Sequence, residues 1–259
     1  SFLFVFFFVV VRLRRSRARV HSAFVPALIA ALTAALRAAG DDTAVRVVVL
    51  EGEGASFSAG ADLRWMRGMA AASEDENRAD ALALARLMRT LDELPRPTIA
   101  RVHGPAFGGG VGLVACCDIA IGTPQARFGL TESRLGLLPA VISPYVIDAI
   151  GPRQARRWFA TAETFDAATA LQVGLLHQVV DAAALDGAVA AQVDLLCRAA
   201  PHATALAKVL VRDAAGRDDA PARDRANADL IARLRVSPEG QEGIGAFLEK
   251  RPPAWAARG

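Results

Sequence analysis

The stretch VVVLEGEGASFSAGADLRWM (47–66) contains the arrangement that decides the fold, and TIARVHGPAFGGGVGLVACC (98–117) repeats it. In both stretches a buried-strand pattern leads into a glycine-rich turn, and the turn leads into a helical pattern. Small residues let the backbone approach a ligand closely, and free N–H groups at a helix start favour negative charge. Two such turns side by side would aim two N–H donors at one oxygen, as an oxyanion hole requires. A phosphate site and a pair of closely packed turns are the alternatives that the pattern leaves open.

The second turn also matches a dinucleotide-binding pattern, G-x-G-x-x-A, at Gly110, Gly112 and Ala115. Six residues separate Val102, at the end of the strand, from Gly109, where the helix pattern begins. The dinucleotide fingerprint needs a tight strand-to-helix turn, so we do not expect nicotinamide or flavin binding. The chain has neither a G-K-S/T phosphate loop nor a G-x-S-x-G nucleophile elbow, which argues against nucleotide hydrolysis and an α/β-hydrolase.

Apolar periodicity divides the chain into strands that alternate with helices up to about residue 195, followed by helices alone. Strands are predicted at 45–52, 98–102 and 117–122, and helices at 24–40, 78–94, 201–216, 220–234 and 238–250. This order predicts an α/β core domain over residues 1–195 and a C-terminal helical region over 196–259.

The first eleven residues, SFLFVFFFVVV, are apolar and precede the basic stretch RLRRSRAR. A secretory signal has its charge before the apolar run, and a membrane span needs about 20 apolar residues. We therefore predict a buried strand that ends in a basic turn, with a membrane-surface anchor as the alternative. The expected location is the cytoplasm.

The composition is typical of a globular protein with a large core, because 53% of the 259 residues are hydrophobic and 22% are charged. The net charge of +3 is too small to predict nucleic-acid binding. The cysteines, Cys116, Cys117 and Cys197, have neither zinc spacing nor an even count, so we expect no metal site and no disulfide framework.

Three segments together resemble the signature blocks of the crotonase (enoyl-CoA hydratase/isomerase) superfamily: FSAGADLRWM (57–66), GPAFGGGVGLVACCDIAIG (104–122) and FGLTESRLGLLPAVISPYV (128–146). Their order and spacing also fit, and the resemblance runs from about residue 17 to the last helix. It implies an α/β fold, a crotonase-like spiral of ββα units with a C-terminal α-helical trimerisation region. Homotrimers, which often pair into hexamers, are the implied assembly.

The resemblance also implies roles for particular residues. Backbone N–H groups of Ala61 and Gly109 would hold the thioester oxygen of an acyl-CoA substrate, and Glu132 would be the catalytic carboxylate. Phe247 and Lys250 would cover the coenzyme A of the same or a neighbouring subunit. The residues that the resemblance assigns to substrate and coenzyme A binding are Ala59, Gly60, Asp62, Leu63, Trp65, Gly108, Gly112, Leu137, Phe247 and Lys250.

The chain departs from the family's two-carboxylate hydratases at one position. Those enzymes carry a second glutamate three residues after the oxyanion glycine, where this chain has Gly112. A lone Glu132 can still serve as base and then acid if burial brings its pKa towards neutral pH. The alternative role for Glu132 is that of an acidic residue in the first turn of a helix.

Three functions remain open at this stage. The first is a lyase that adds water to, or removes it from, an enoyl-CoA, and the segments ADLRWM and RLGLLPAVISPYVIDAIG most resemble bacterial hydratases of branched glutaconyl-CoA esters such as methylglutaconyl-CoA. The second is a double-bond isomerase or decarboxylase, and the third is a non-catalytic homologue that binds coenzyme A. No separate cofactor is expected, because coenzyme A enters as part of the substrate.

Overall fold

The computed structural model describes residues 2–7, 10–15, 24–215 and 219–256. The strands in these ranges are β1 Phe2–Phe7, β2 Val10–Arg15, β3 Val47–Gly52, β4 Thr98–Val102, β5 Ala106–Phe107, β6 Ile119–Gly122, β7 Arg127–Gly129, β8 Thr164–Asp166 and β9 Gln178–Val179. The α-helices are α1 Pro26–Asp41, α2 Leu63–Ala70, α3 Glu74–Asp92, α4 Gly109–Cys116, α5 Ser143–Thr161, α6 Ala167–Gln172, α7 Leu185–Arg198, α8 Pro201–Ala215, α9 Ala220–Val236 and α10 Pro238–Leu248. Short 3-10 turns occupy Glu132–Leu135 and Ala182–Ala184.

Within the described ranges, the larger sheet has six strands in the order β1-β2-β3-β4-β6-β9. Neighbouring strands are parallel, apart from the antiparallel pair β1 and β2. All six residues of β3 are buried, as expected for a parallel strand covered on both faces. Val48 and Leu50 belong to the main core, whereas Val47 and Val49 pack with Leu185 of α7 on the opposite face. The smaller sheet has the order β5-β7-β8.

The predicted single strand over the first eleven residues was wrong. That region contributes two antiparallel strands, Phe2–Phe7 and Val10–Arg15, with Phe7 opposite Val10. The apolar run contains no glycine, proline or asparagine that would mark a turn, so its periodicity could not reveal a chain reversal.

Local capping sets the starts of the helices that flank the site. Ser73 and Glu76 form a reciprocal capping box, so α3 begins at Glu74, four residues before the predicted start. The Asp62 side chain accepts hydrogen bonds from the N–H groups of Arg64 and Trp65 and begins α2, the helix that was predicted to follow the first glycine-rich turn.

Polar contacts join α8 to the core and α10 to α8. Lys208 of α8 pairs with Asp118 at 2.9 Å, and the Glu239 carboxylate accepts hydrogen bonds from the N–H groups of His202 and Ala203 at the start of α8. The division at residues 195 and 196 stays a prediction; α7 runs across it, from Leu185 to Arg198. No helix among the described residues is both long enough and apolar enough to cross a membrane.

Candidate active site

The two glycine-rich turns lie side by side. The N–H of Ser58 donates to Pro105 O at 3.0 Å, and the N–H of Phe107 donates to Ser58 O at 2.9 Å. A Cβ atom on Gly110 would lie only 2.5 Å from Ser58 Cβ, so this position has room for glycine alone. The close packing places the start of α4 next to the turn that leads into α2.

The first turn presents Ala61 between two hydrogen-bonded residues. Gly60 has φ +84°, a left-handed conformation that favours glycine. The carbonyl of Gly60 accepts from the N–H of Phe24 at 2.7 Å, and the N–H of Asp62 donates to Phe24 O at 3.1 Å. The N–H of Ala61 itself has no acceptor among the described residues.

The second turn presents Gly109 at the first position of α4. Gly108, which precedes it, has φ +50° and ψ −120°, and its N–H donates to Gly129 O at 2.9 Å. The carbonyl of Gly108 accepts from the N–H of Val111 at 2.9 Å. In the part of the chain that the structure describes, the N–H of Gly109 has no acceptor, as expected at a helix start. The first turn therefore offers a free N–H donor at Ala61, and the second offers one at Gly109.

Glu132 lies against the second turn. A Cβ atom on Gly108 would be 3.1 Å from Glu132 Oε1, so the carboxylate lies directly against this glycine. The side chain comes from the short 3-10 turn, which Gly136 ends with φ +72° and which the Leu137 N–H closes by donating to Glu132 O at 3.1 Å. This geometry brings the carboxylate to the start of α4.

The environment of Glu132 favours its neutral form. Its Oε2 atom is buried and has no hydrogen-bond partner among the described residues. Burial raises the pKa of Glu132, and a hydrogen bond from its own backbone N–H opposes that rise only in part. Thr131, at the cap position of the 3-10 turn, makes no side-chain capping bond there. A half-buried carboxyl with an unused oxygen is suited to taking up and releasing a proton.

Gly112 faces hydrocarbon. A Cβ atom there would lie 2.4 Å from Ile142 Cγ2 and 3.3 Å from Met88 Cε. Ile142 and Met88 are both buried. The space beside position 112 is therefore filled by apolar side chains, and Glu132 has no second carboxylate from that position.

Three exposed leucines follow Glu132 within six residues of the chain. Leu135, Leu137 and Leu138 are 60%, 56% and 71% exposed, although leucine is among the residue types most often buried. Such a surface is suited to contact with an apolar group. We call these three residues the exposed leucine group.

Trp65 is half-buried on α2. The indole faces Asp80 of α3: burial raises the pKa of Asp80, and the nearby indole N–H opposes that rise.

The remaining predicted residues are spread more widely. Ala59 is exposed, and Leu63 is the first residue of α2. Phe247 is 81% exposed on α10, and Lys250 is exposed just beyond that helix with φ +55°. The structure thus brings Ala61, Gly109 and Glu132 into one region and leaves the two C-terminal residues on a surface.

Two residues that contact the site were missed from the sequence. Phe24 bonds to the first turn and its ring packs on Gly109, and Ile142 fills the space beside Gly112. Phe24 lies outside the three signature segments, and Ile142 lies in the third, where the resemblance gave it no role. A run of small residues such as GGGVG does signal that large side chains from elsewhere must fill the space around it.

Metal chemistry has no candidate ligands within the described residues, where no cluster of His, Cys, Asp and Glu could hold an ion. Cys116 and Cys117 are buried thiols, and burial raises the pKa of Cys117 to about 12. These cysteines therefore pack as small apolar residues.

Comparison with known proteins agrees with this arrangement. A solved enoyl-CoA hydratase from Shewanella pealeana is 44% identical, with a TM-score of 0.92 over 95% of this chain and 92% of that one. The solved structure of AtuE from Pseudomonas aeruginosa is 37% identical, with a TM-score of 0.94 over 98% and 99% of the two chains. The fold is therefore the crotonase fold, as predicted.

Sequence comparison gives the same class. A crotonyl-CoA hydratase from Syntrophomonas wolfei is 32% identical over 222 residues, which are 84% of this chain and 83% of that protein. The family model for enoyl-CoA hydratase/isomerase matches residues 9–258. The chain belongs to the enoyl-CoA hydratase/isomerase family and is an enzyme of that family.

Proposed function

We propose that this enzyme adds water reversibly across the 2,3 double bond of an enoyl-CoA, with Glu132 as its only acid/base group. The observation that carries the proposal is the buried, unpartnered oxygen of Glu132 beside the turn of Gly108. Two free backbone N–H groups, at Ala61 and Gly109, accompany it. An acid/base group next to two free donors is what chemistry at the α and β carbons of a thioester requires.

In the proposed reaction, the thioester carbonyl accepts hydrogen bonds from Ala61 and Gly109. Glu132 takes a proton from water, the water oxygen bonds to Cβ, and the electron pair of the double bond moves to the carbonyl as an enolate. Glu132 then gives its proton to Cα, which restores the thioester and the carboxylate. Each N–H stabilises the enolate by roughly 3 kcal/mol, judged from other oxyanion holes.

A double-bond isomerase is the second candidate, and Gly112 is the observation that favours it. Apolar side chains fill the space where a second carboxylate would be, so only Glu132 is available to position a water. Moving a double bond needs no water: one base takes a proton at Cα and returns it at Cγ. A decarboxylase would use the same oxyanion donors.

For the acyl group we propose a branched, glutaconyl-type chain. The exposed leucine group would contact the apolar part of this acyl chain. The carboxylate at the far end of the acyl chain would need a cation. Arg134 lies two residues after Glu132 and is exposed, and no ion pair of Arg134 is found among the described residues. Arg64 and Arg67, both exposed on α2, are the other candidates.

Coenzyme A would lie along the first turn, with its adenine near Ala59–Leu63. We propose that Phe247 and Lys250 cover it from the same or a neighbouring subunit of a homotrimer. The exposure of Phe247 supports this assignment, because a large aromatic side chain on the surface is available to a ligand or a partner subunit.

The test is the loss of the conjugated enoyl-thioester absorbance on mixing the enzyme with crotonyl-CoA or 3-methylglutaconyl-CoA. The Glu132→Gln variant keeps the shape of the side chain and removes the base, so we expect its rate to fall by about 100-fold or more. The control is Glu163→Gln, an exchange at a half-buried glutamate that pairs with Arg157, where the rate should stay unchanged.

Hydration by the wild type that depends on Glu132 would support the lyase, and the faster substrate would identify the acyl class. If neither enoyl-CoA is consumed while a β,γ-enoyl-CoA gains the conjugated absorbance, the isomerase is correct. Hydration that survives in Glu132→Gln would contradict the role of Glu132 in either reaction.

A further inference from the structure

Phe24 contacts both glycine-rich turns, although it belongs to neither of the repeated motifs. It lies two residues before α1 and is only 4% exposed. Its backbone meets the first turn and its ring meets the second turn. One residue thus connects the two peptide groups that supply the free N–H donors.

The backbone contact holds Ala61 from both sides. The N–H of Phe24 donates to Gly60 O at 2.7 Å, and Phe24 O accepts from the N–H of Asp62 at 3.1 Å. Phe24 and Ala61 are therefore paired like residues of two parallel strands. In this pairing the N–H of Ala61 points away from Phe24, because the hydrogen bonds use only the residues before and after it.

The ring contact sets the position of Gly109. A Cβ atom on Gly109 would lie 2.9, 3.2 and 3.3 Å from Phe24 Cε2, Cζ and Cδ2, so the edge of the ring packs against the glycine backbone. An aromatic ring has few rotamers and keeps its shape under contact, unlike a leucine or methionine side chain.

We propose that Phe24 is a positioning residue that fixes the separation of the Ala61 and Gly109 N–H donors. The inference rests on the proposed use of those donors as an oxyanion hole. The backbone of Phe24 anchors one donor while its ring supports the other, so the two are set by a single rigid group. A shorter side chain leaves the first donor in place and lets the second one shift.

The experiment compares Phe24→Leu with Phe165→Leu. Phe165 of β8 is also buried and stacks on Trp158 of α5 and on Phe128 of β7. Its exchange therefore costs a similar amount of packing, and among the described residues its ring contacts are with these two side chains and not with Ala61 or Gly109. The measurements are kcat, KM and the melting temperature, with the ultraviolet enolate band of bound acetoacetyl-CoA as a direct readout of oxyanion stabilisation. Phe24→Tyr, which keeps the ring, is the conservative variant.

We expect Phe24→Leu to lower kcat at least about 10-fold with little change in KM, since small displacements of a donor have large effects on rate. The bound enolate band should weaken, and Phe24→Tyr should restore both signals. Phe165→Leu should lower the melting temperature by a similar amount and keep the enolate band. Equal kcat and enolate band in Phe24→Leu and wild type would overturn the positioning role alone. A wild type with neither turnover nor an enolate band would overturn the proposed function, and the inference with it.

Discussion

Glu132 has to ionise in order to act as a base, yet its surroundings oppose ionisation. Burial raises its pKa above the ordinary value of 4.5, so the folded protein holds the proton more tightly than the unfolded chain does. As pH rises from the ordinary value through the raised one, the folded state loses stability relative to the unfolded state. The same rise in pH creates the carboxylate that catalysis needs.

Glu132→Gln should therefore stabilise the protein while it removes activity. At pH 7 we expect a melting temperature higher by about 2 °C, since glutamine has no charge to desolvate. Near pH 4, where both states of the wild type bind the proton, the difference should vanish. The kcat/KM of the wild type should fall as the pH is lowered, and the midpoint of this fall should lie above the ordinary pKa of glutamate. A lower melting temperature for Glu132→Gln at pH 7 would show that the carboxylate is stabilising instead.

Gly112 and Ile142 should behave as a coupled pair. Even Gly112→Ala brings a Cβ atom within 2.4 Å of Ile142 Cγ2, so we expect a loss of about 1–3 kcal/mol in the free energy of unfolding. Ile142→Ala alone opens a cavity and should cost about 2–4 kcal/mol. Combining the two should cost less than the sum, because each change relieves the problem created by the other.

Denaturant unfolding of the four proteins measures this coupling. Gly187→Ala provides the control, since nothing lies within 4 Å of the Cβ it would add. Additive losses in the double variant would mean that the two side chains do not compete for space.

At the scale of residues, the sequence could predict the site residues that belong to a short sequence motif. Ala61, Gly109 and Glu132 lie in recognisable motifs, and the structure brings them together; their roles stay predictions. Phe24 and Ile142 could not be found in this way, because their contacts with the two turns join residues that are far apart in the sequence. Packing partners of glycines are decided by tertiary structure, which periodicity does not encode.

At the scale of elements, ion pairs join α8 to the core, and the one between Lys208 and Asp118 is shorter and less exposed than the one between Arg212 and Glu93. The carboxylate of Asp118 accepts from the N–H and Oγ1 of Thr98 at 2.7 and 2.8 Å and pairs with Lys208 of α8 at 2.9 Å. Lys208 also donates to Arg96 O at 3.3 Å. The Lys208 side chain is only 15% exposed, so screening by solvent is limited.

Asp118→Asn should therefore loosen α8 before it unfolds the core. We expect a loss of about 2 kcal/mol, since Lys208 would keep a partly buried charge without its counter-ion. Amide hydrogen exchange in α8 should accelerate more than exchange in β3 and β4. Asp229→Asn, on the exposed surface of α9, is the matched control and should leave exchange unchanged. If amide exchange accelerates equally in α8 and across the sheet, the contact breaks only when the whole molecule unfolds.

The longer elements could be predicted because their periodicity is strong, as α1, α3, β3 and β4 illustrate. The short elements β5, β7, β8 and β9 have two or three residues each, too few for any period to register. The smaller sheet consists entirely of such elements. The sequence therefore predicted the central strands of the larger sheet and did not predict the smaller sheet. The smaller sheet contains Gly129, whose carbonyl accepts a hydrogen bond from the N–H of Gly108.

At the scale of the whole molecule, the C-terminal helices expose more apolar surface than a solitary chain usually does. The exposed residues of this kind on α8, α9 and α10 are Val209, Leu210, Val211, Ile231, Val236, Ile244, Phe247 and Leu248. Val211, Val236 and Phe247 are 71%, 77% and 81% exposed. We propose that these faces are buried between copies of the chain in the homotrimer implied by the sequence.

If the faces form that interface, a charge placed on them should separate the subunits. Sedimentation should give the wild type about three or six times the 27.3 kDa chain mass and the double variant Val211→Glu/Val236→Glu the mass of one chain. Burying two carboxylates per subunit without partners costs several kcal/mol, enough to dissociate an interface of ordinary affinity. Leu82→Glu, at a 52% exposed leucine of α3, should leave the wild-type mass unchanged, which ties the effect to the C-terminal helices. If coenzyme A is covered by Phe247 and Lys250 of a neighbouring subunit, the dissociated variant should also show a raised KM. An unchanged KM in a dissociated variant would mean that each chain binds the ligand alone.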